Sequence, residues 1–132
     1  MPNLEIHYRK GVEKKIGFET LGEVCQIALS QAFNKANEAN TDPTDVLVRF
    51  VEASRWDRGI PDICFVIKCG EDGLTHNQQL DLCLSFCRCE PIFGYSIDTV
   101  CAQNNLSLDV EIFNKRSHGV SYDACGDHYG SF

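Results

Sequence analysis

The start of the chain holds the first residue whose type and position suggest chemistry. Pro2 follows Met1 directly and opens a run of alternating apolar and polar residues that ends at Tyr8. An initiator methionine is usually removed when the next side chain is this small, which would leave a free proline nitrogen. Such a nitrogen is a secondary amine that exchanges protons, and apolar surroundings lower its pKa toward working pH. Pro2 is therefore a candidate general base, although many chains simply begin with Met-Pro.

A second candidate is an arginine inside an apolar stretch. Arg49 lies within the run Val46–Val51, where a charge is costly unless it meets an anion or lines a cavity. A guanidinium fork matches the two oxygens of a carboxylate and can polarise a neighbouring carbonyl. We therefore interpret Arg49 as a candidate substrate clamp. The alternative is a salt bridge at a sheet edge or across an interface.

The chain also contains eight cysteines, which form a third group of chemically capable residues. Structural zinc sites usually pair closely spaced ligands from two loops, whereas Cys83 and Cys87 lie four apart in an apolar, helix-like pattern. No two cysteines have the spacing of a thioredoxin-like motif. We expect buried, reduced thiols that pack as small hydrophobes, with no metal and no cofactor. A cysteine nucleophile with a histidine base stays open as an alternative that has no local signature.

The overall charge excludes some classes of partner. The net charge is −7, and binding to phosphates needs a basic surface, so we expect no nucleic acid. No apolar stretch approaches the ~18 residues of a membrane span, and no secretory signal is visible, so we expect a cytoplasmic protein without membrane contact. An acidic chain that binds an anionic substrate must gather its cations locally. The candidates are Arg9, Lys10, Arg49, Arg55, Arg58, Lys68, Lys115 and Arg116.

Hydrophobic periodicity predicts the elements that must position these residues. Alternating patterns predict strands, and a period near 3.6 predicts helices. The predicted strands cover residues 2–8, 46–52, 62–69 and 106–113. The first predicted helix runs from Phe18 to about Lys35 or Asn37, and the second runs from Thr75 to Pro91. Thr75 and Gln78 have the spacing of a capping box.

The order of these elements predicts the fold class. It is α+β: a two-layer β-α-β-β-α-β sandwich with helices on one face of a four-stranded mixed sheet. At 132 residues the chain has the size of one domain, which we expect to span residues 1–132. The tail from about residue 115 reads as a strand remnant or an interface arm. The sheet face without helices needs cover, so we expect the chain to form a homo-oligomer.

The N-terminal proline and this order of elements resemble the tautomerase superfamily over residues 2–115. The closest likeness is to the 5-carboxymethyl-2-hydroxymuconate isomerase family, and the macrophage migration inhibitory factor family is more distant. Four segments carry the likeness. They are Met1–Ile6, Val46–Val51, Asp62–Ile67 and Leu106–Ile112.

The resemblance implies a function and an assembly. It implies a cofactor-independent keto–enol isomerase of aromatic catabolism, acting on a small carboxylated enol or unsaturated keto acid, with Pro2 as the general base. It also implies a homotrimer with active sites near subunit boundaries. The family places an arginine on the strand that holds Arg49, which matches the substrate clamp suggested above.

One departure from the family's pattern leaves the function open. The family has a second arginine in the glycine-rich turn before the second helix, whereas here the turn, residues 69–74, carries acids. Arg55, Arg58 or Lys10 could compensate as the second cationic contact. Trp56 could form an apolar wall over the proline, or serve only as a loop anchor. The alternative function is a non-catalytic binding or assembly protein of the same fold.

Overall fold

A single mixed sheet with helices on one face forms the framework of the protein. The computed structural model describes residues 2–54, 57–69, 74–113, 120–123 and 128–129, the last two segments as backbone alone. The strands are β1 (Asn3–Tyr8), β2 (Leu47–Glu52), β3 (Ile63–Lys68), β4 (Leu108–Phe113), β5 (Val120–Asp123) and β6 (His128–Tyr129). The helices are α1 (Phe18–Asn37), α2 (His76–Arg88) and α3 (Ile97–Gln103).

The sheet has the strand order β2-β1-β3-β4-β5-β6. β1 is parallel to β2 and antiparallel to β3, and β3 is parallel to β4. β5 and β6 continue the sheet in antiparallel fashion beyond β4. The predicted four-stranded mixed sheet is therefore confirmed as β2-β1-β3-β4. The tail adds two short strands to it, while its role as an interface arm stays a prediction.

Alternating side chains divide the sheet into two faces. Leu4, Ile6, Phe65 and Val110 are at most 1% exposed and point into the core beneath the helices. The residues between them point away from the helices, because successive strand residues face opposite sides. We call this second side the open face. Its members on β1, β3 and β4 are Asn3, Glu5, His7, Cys64, Val66, Lys68, Asp109, Glu111 and Phe113.

Aromatic packing joins the long helix α1 to the edge strand β2. Phe18, the first residue of α1, stacks on Phe50 with ring centroids 4.3 Å apart. Tyr8 meets Phe18 edge to face at 4.8 Å. A Cβ built on Gly22 would lie 3.7 Å from the Phe50 ring, which is an ordinary van der Waals distance, so α1 passes close to this ring. The stack fixes which face of β2 is buried.

The second helix begins as predicted and buries part of its predicted stripe. Thr75 and Gln78 form the capping box. The apolar period of the sequence predicts Leu80, Cys83, Leu84 and Cys87 as the buried positions. The structure confirms the two cysteines, leaves Leu84 partly buried against the core, and adds Gln79, Leu82 and Phe86. Gln79 is tolerated in the core because its amide donates to the Leu74 carbonyl oxygen at 3.0 Å.

The last main strand begins later than its apolar pattern suggests. Leu106 is buried, but its amide bonds the Cys101 carbonyl oxygen at 2.8 Å and so belongs to the end of α3. Asn105 takes a left-handed conformation there, with a φ of 56°. Regular pairing of β4 then starts at Leu108, opposite Ile63. In the described part of the chain no helix combines the length and apolar character needed to cross a membrane.

Candidate functional site

Pro2 is buried immediately before β1, the strand that lies between β2 and β3. Asn3 pairs with Leu47 on one side and with Lys68 on the other. Continuing this register by one residue places Pro2 between Val46 and Cys69. We call this region the proline end of the sheet. Met1 lies outside the described residues.

The two neighbours of Pro2 make weakly polar surroundings. Val46 is 1% exposed, and its carbonyl oxygen accepts a hydrogen bond of 2.9 Å from the Gln26 side chain on α1. Cys69 packs against the core, and its amide donates to the Phe113 carbonyl oxygen at 2.9 Å. Burial raises the pKa of the Cys69 thiol to about 11, so the thiol is neutral at physiological pH. Surroundings of this kind disfavour a charged proline nitrogen, provided that the nitrogen is free.

The structure places Arg49 on the opposite side of the sheet from Pro2. Val48 and Phe50 pack toward the core, so Arg49 between them projects from the open face, where it is exposed. Its cross-strand neighbour is Glu5. Arg49 lies three residues beyond Val46, which is about 10 Å along a strand. Pro2 and Arg49 of one chain therefore do not converge on one small substrate.

A network of charged side chains occupies the open face beside Arg49. One carboxylate oxygen of Glu5 accepts a hydrogen bond from Lys68 at 3.0 Å, and the other lies 3.0 Å from His7 Nε2. The hydrogen bond from Lys68, followed by that from His7, lowers the pKa of Glu5. Lys68 is therefore paired with Glu5 on the neighbouring strand. The network is also on the face opposite Pro2.

The other end of β1 gathers a second set of cations. A depression of about 700 Å³ lies there, and its lining includes Arg9, Lys10 and Arg58. Arg9 is held in place by a hydrogen bond of 2.9 Å from its guanidinium to the Ile60 carbonyl oxygen. Tyr8 lies six residues beyond Pro2, which corresponds to about 20 Å of strand. We call this region the charged end of the sheet.

Two of the predicted substrate-binding residues cannot be placed. Arg55 and Trp56 lie outside the described residues, as do residues 70–73 of the acidic turn. Hydrogen bonds hold the described residues on either side of Arg55 and Trp56. The Ser54 amide donates to Asp57 Oδ2 at 2.9 Å, and the Ala53 amide donates to the Tyr8 carbonyl oxygen at 2.8 Å. The roles of Arg55 and Trp56 in substrate binding stay predictions.

Sequence reasoning missed a pocket on the open face. A cavity of about 330 Å³ lies beside the charged end, and it includes His7 from β1, Cys64 from β3 and Glu111 from β4. Each of these residues occupies an outward position of its own strand. Only the strand order β1-β3-β4 brings them together, and the sequence alone does not state that order. Neither this cavity nor the larger depression has Pro2 in its lining.

Most of the described cysteines belong to the core, as predicted. Cys25, Cys83, Cys87 and Cys101 are buried free thiols beneath the helices. Burial raises the pKa of Cys83 and of Cys101 to about 12, so these thiols stay protonated. No group of metal-ligand side chains in the described residues has a geometry that could hold a metal ion. Cys125 lies outside the described residues.

Comparison with known proteins places the architecture in a recognised class. No family model and no curated protein matches the chain. Its helix-covered mixed sheet is the tautomerase-like fold that the sequence predicted. The matching structures with TM-scores of 0.50 and 0.52 share 12% and 16% of their residues with this chain, so they establish the fold alone. The likeness to the 5-carboxymethyl-2-hydroxymuconate isomerase family stays a prediction.

Three solved structures illustrate this likeness. N1, a member of the cis-3-chloroacrylic acid dehalogenase family, has a TM-score of 0.52 and 16% identity, over 88% of this chain and 76% of that chain. Native Ps01740 has a TM-score of 0.50 and 12% identity, over 86% of this chain and 93% of that chain. Macrophage migration inhibitory factor from Toxoplasma gondii has a TM-score of 0.49 and 13% identity, over 88% and 91%.

Proposed function

We propose that the chain is a cofactor-independent keto–enol tautomerase that acts on a small carboxylated enol or unsaturated keto acid. The observation that carries this proposal is the burial of Pro2 between Val46 and Cys69, at the start of the central strand β1. A buried, free proline nitrogen would stay uncharged more readily than one in water, which suits a general base. The tautomerase-like fold supports the same function.

The reaction needs only a proton relay. Pro2 takes a proton from the enol oxygen or from the donor carbon, and the electron pair that is released moves along the conjugated system. The prolinium then returns the proton to another carbon, so substrate and product are isomers and no oxidant or reductant is required. A guanidinium beside the substrate stabilises the developing enolate and holds the carboxylate.

We propose that this guanidinium comes from a second copy of the chain. Arg49 of one chain projects from the face opposite Pro2, so the Pro2 of a neighbouring subunit is the one that Arg49 serves. In such a homo-oligomer, which we infer to be a trimer, the charged end with Lys10 and Arg58 supplies the second cationic contact. Arg55 and Trp56 also bind the substrate at this end. The same association covers the open face of the sheet.

A second candidate function is a non-catalytic binding or assembly protein of the tautomerase-like fold. The observation that favours it is the separation of Pro2 from Arg49 within one chain. If Met1 is retained, the proline nitrogen is a tertiary amide and has no basicity. In that case the fold and the association through the open face remain, without the isomerase activity.

Ketonisation assays distinguish the two candidates. Substrates of the 2-hydroxymuconate type and the phenylpyruvate type would be offered to the purified protein and to Pro2→Ala. Pro43→Ala is the matched control, because Pro43 begins a short, exposed 3-10 turn. The proposal predicts activity in the wild type and in the control, with a large loss in Pro2→Ala. Equal rates for the wild type and Pro2→Ala would exclude Pro2 as the base, and the absence of turnover by the wild type would leave only the binding or assembly function.

A further inference from the structure

The helix side of the sheet carries a cavity that no step of the proposed reaction uses. A groove of about 410 Å³ lies between α1 and α2, within the range of about 300–1,000 Å³ that is common for small-molecule pockets. We call it the helix groove. Its lining residues are Gln31, Ala32 and Lys35 from α1, Leu84, Ser85 and Arg88 from α2, and Cys89 just after α2.

The helix groove is open to solvent. Gln31, Lys35 and Arg88 are exposed, while Ala32 is buried and Leu84 is partly buried against the core. Ala32 and Leu84 therefore supply the apolar part of the groove. The helices cover the face of the sheet opposite the open face. Association of chains through the open face thus leaves the helix groove accessible.

The helix groove has a positive lining. Lys35 and Arg88 come from different helices, and the lining contains no carboxylate. No ion pair to either cation is found among the described residues. Burial raises the pKa of Asp98, and Arg88 opposes this shift, so Asp98 attracts Arg88 from outside the lining. An anion in the groove would meet two cations and no like charge among the lining residues.

The neutral polar groups of the helix groove add hydrogen-bond donors. The Cys89 thiol donates to Gln31 Oε1 at 3.0 Å, which occupies the amide oxygen and leaves the amide N–H groups as donors. Burial, followed by repulsion from Glu90, raises the pKa of the Cys89 thiol, so the thiol is neutral at physiological pH. Ser85 contributes a hydroxyl. Cationic and neutral donors of this kind match the oxygens of a carboxylate.

We propose that the helix groove binds a small organic carboxylate with an apolar body, such as an aromatic acid. The carboxylate pairs with Arg88 and Lys35, and the apolar body packs against Leu84 and Ala32. The inference is independent of the tautomerase proposal, because the groove shares no lining residue with the two cavities at the charged end and does not include Pro2. It gives the chain a second carboxylate site on the outer surface of its helices.

Two matched probes test the charge requirement. Benzoate and benzamide have nearly the same shape and differ in charge. Titration followed by the methyl signals of Ala32 and Leu84 in nuclear magnetic resonance spectra measures binding in the groove itself, apart from any binding at the proline end. Benzoate should bind at least about tenfold more tightly than benzamide, because a hydrogen bond to a charged group is worth about that factor or more.

Two variants and one control locate the interaction. Arg88→Gln and Lys35→Gln each remove one cation from the lining. Each should weaken benzoate binding about threefold to fivefold, as expected for one exposed ion pair, with little effect on benzamide. Lys14→Gln is the matched control, since it removes an exposed cation from the end of a 3-10 turn outside the groove. It should leave both affinities nearly unchanged.

A purely structural role of the two cations is distinguished by the same titrations. Lys35 and Arg88 each lie in the last turn of a helix, where a cation also offsets the partial negative charge of the helix end. Loss of that role alone would lower Tm and leave the ratio of the benzoate and benzamide affinities unchanged. Loss of the binding site lowers this ratio.

Three outcomes would overturn the inference. One is that benzoate does not shift the methyl signals of Ala32 and Leu84. Another is that benzamide binds in the groove as tightly as benzoate. The third is an equal weakening of benzoate binding in Lys14→Gln and Arg88→Gln, which would mark a general effect of net charge.

Discussion

The two ends of β1 provide opposite surroundings within about 20 Å of strand. At the proline end, the register places a buried ring between Val46, which is 1% exposed, and Cys69, whose thiol has a pKa that burial raises to about 11. At the charged end, Arg9, Lys10 and Arg58 line an open depression beside Glu52 and Asp57. The first end suits a base that must lose its proton, and the second suits the binding of an anion. A site that uses both requires two chains.

The largest expected effect comes from blocking the nitrogen at the proline end. Insertion of a leucine between Met1 and Pro2 prevents removal of the methionine and converts the proline nitrogen into an amide. We expect ketonisation to fall by about a thousandfold or more, because the general base is lost completely. Steady-state rates on the substrate that the wild type turns over best would measure this change. Normal activity of the insertion variant would exclude Pro2 as the base.

A smaller loss is expected when the amine is kept but the ring is removed. Pro2→Ala leaves a primary amine at the same place, so we expect a loss of about a hundredfold rather than complete inactivation. The ratio of the rates of the two variants then reports the contribution of the ring. If Pro2→Ala lost no more activity than Pro43→Ala, the proline end would have no catalytic role.

We expect Arg49 and Arg58 to bind substrate in the site of a neighbouring subunit. Arg49→Ala should raise KM by about tenfold, as expected for the loss of a charge-assisted bond. Mixed oligomers made from Arg49→Ala and Pro2→Ala chains test whether one site uses Pro2 of one chain and Arg49 of another. If the site is shared, some boundaries combine an intact Pro2 with an intact Arg49, and part of the activity returns. Lys14→Ala, at the end of a short 3-10 turn, is the control and should have no effect.

If the activity of the mixed oligomers at low substrate concentration did not exceed the average of the two parent variants, Arg49 would not serve a neighbouring proline. The same measurement with Arg58→Ala in place of Arg49→Ala tests whether the charged end contributes. A rise in KM for Arg58→Ala without restoration in the mixed oligomer would assign that cation to a separate anion site.

Glu111, a half-buried carboxyl group on the open face, should lower the stability of the protein at neutral pH. Partial burial, followed by repulsion from Asp109, raises its pKa. Because the pKa of Glu111 is raised in the folded state, the folded protein favours the protonated form, and this group lowers stability as pH rises through its folded pKa. Glu111→Gln should therefore raise Tm at neutral pH and make no difference in acid. Partial exposure limits the gain to less than about 1 kcal/mol. A lower Tm for Glu111→Gln at neutral pH would contradict this account.

The sequence predicted the fold class and its main elements, whereas the geometry of the candidate site depends on strand register. The alternation of β1 and the capping box of Thr75 and Gln78 follow from local rules, and both were confirmed. The burial of Pro2 agrees with the apolar surroundings expected of it. By contrast, the distance between Pro2 and Arg49 depends on strand register, and register places Arg49 beside Glu5 on the open face.

Three other features of the structure could not be predicted from the sequence. The pocket on the open face, which includes His7, Cys64 and Glu111, needs the adjacency of β1, β3 and β4, which is a property of topology rather than of any segment. Burial of Gln79 accompanies a side-chain hydrogen bond to the Leu74 carbonyl oxygen, and no apolar period marks such a residue. Leu106 belongs to the end of α3 because its amide bonds the Cys101 carbonyl oxygen. Hydrophobic periodicity encodes none of these contacts.

The central claim is that the chain works with a free proline nitrogen. Mass spectrometry of the intact protein, purified from cells that make it naturally, tests this claim most directly. The account predicts a single species that begins at Pro2. A protein that carries Met1 throughout would contradict the isomerase proposal, whatever the fold.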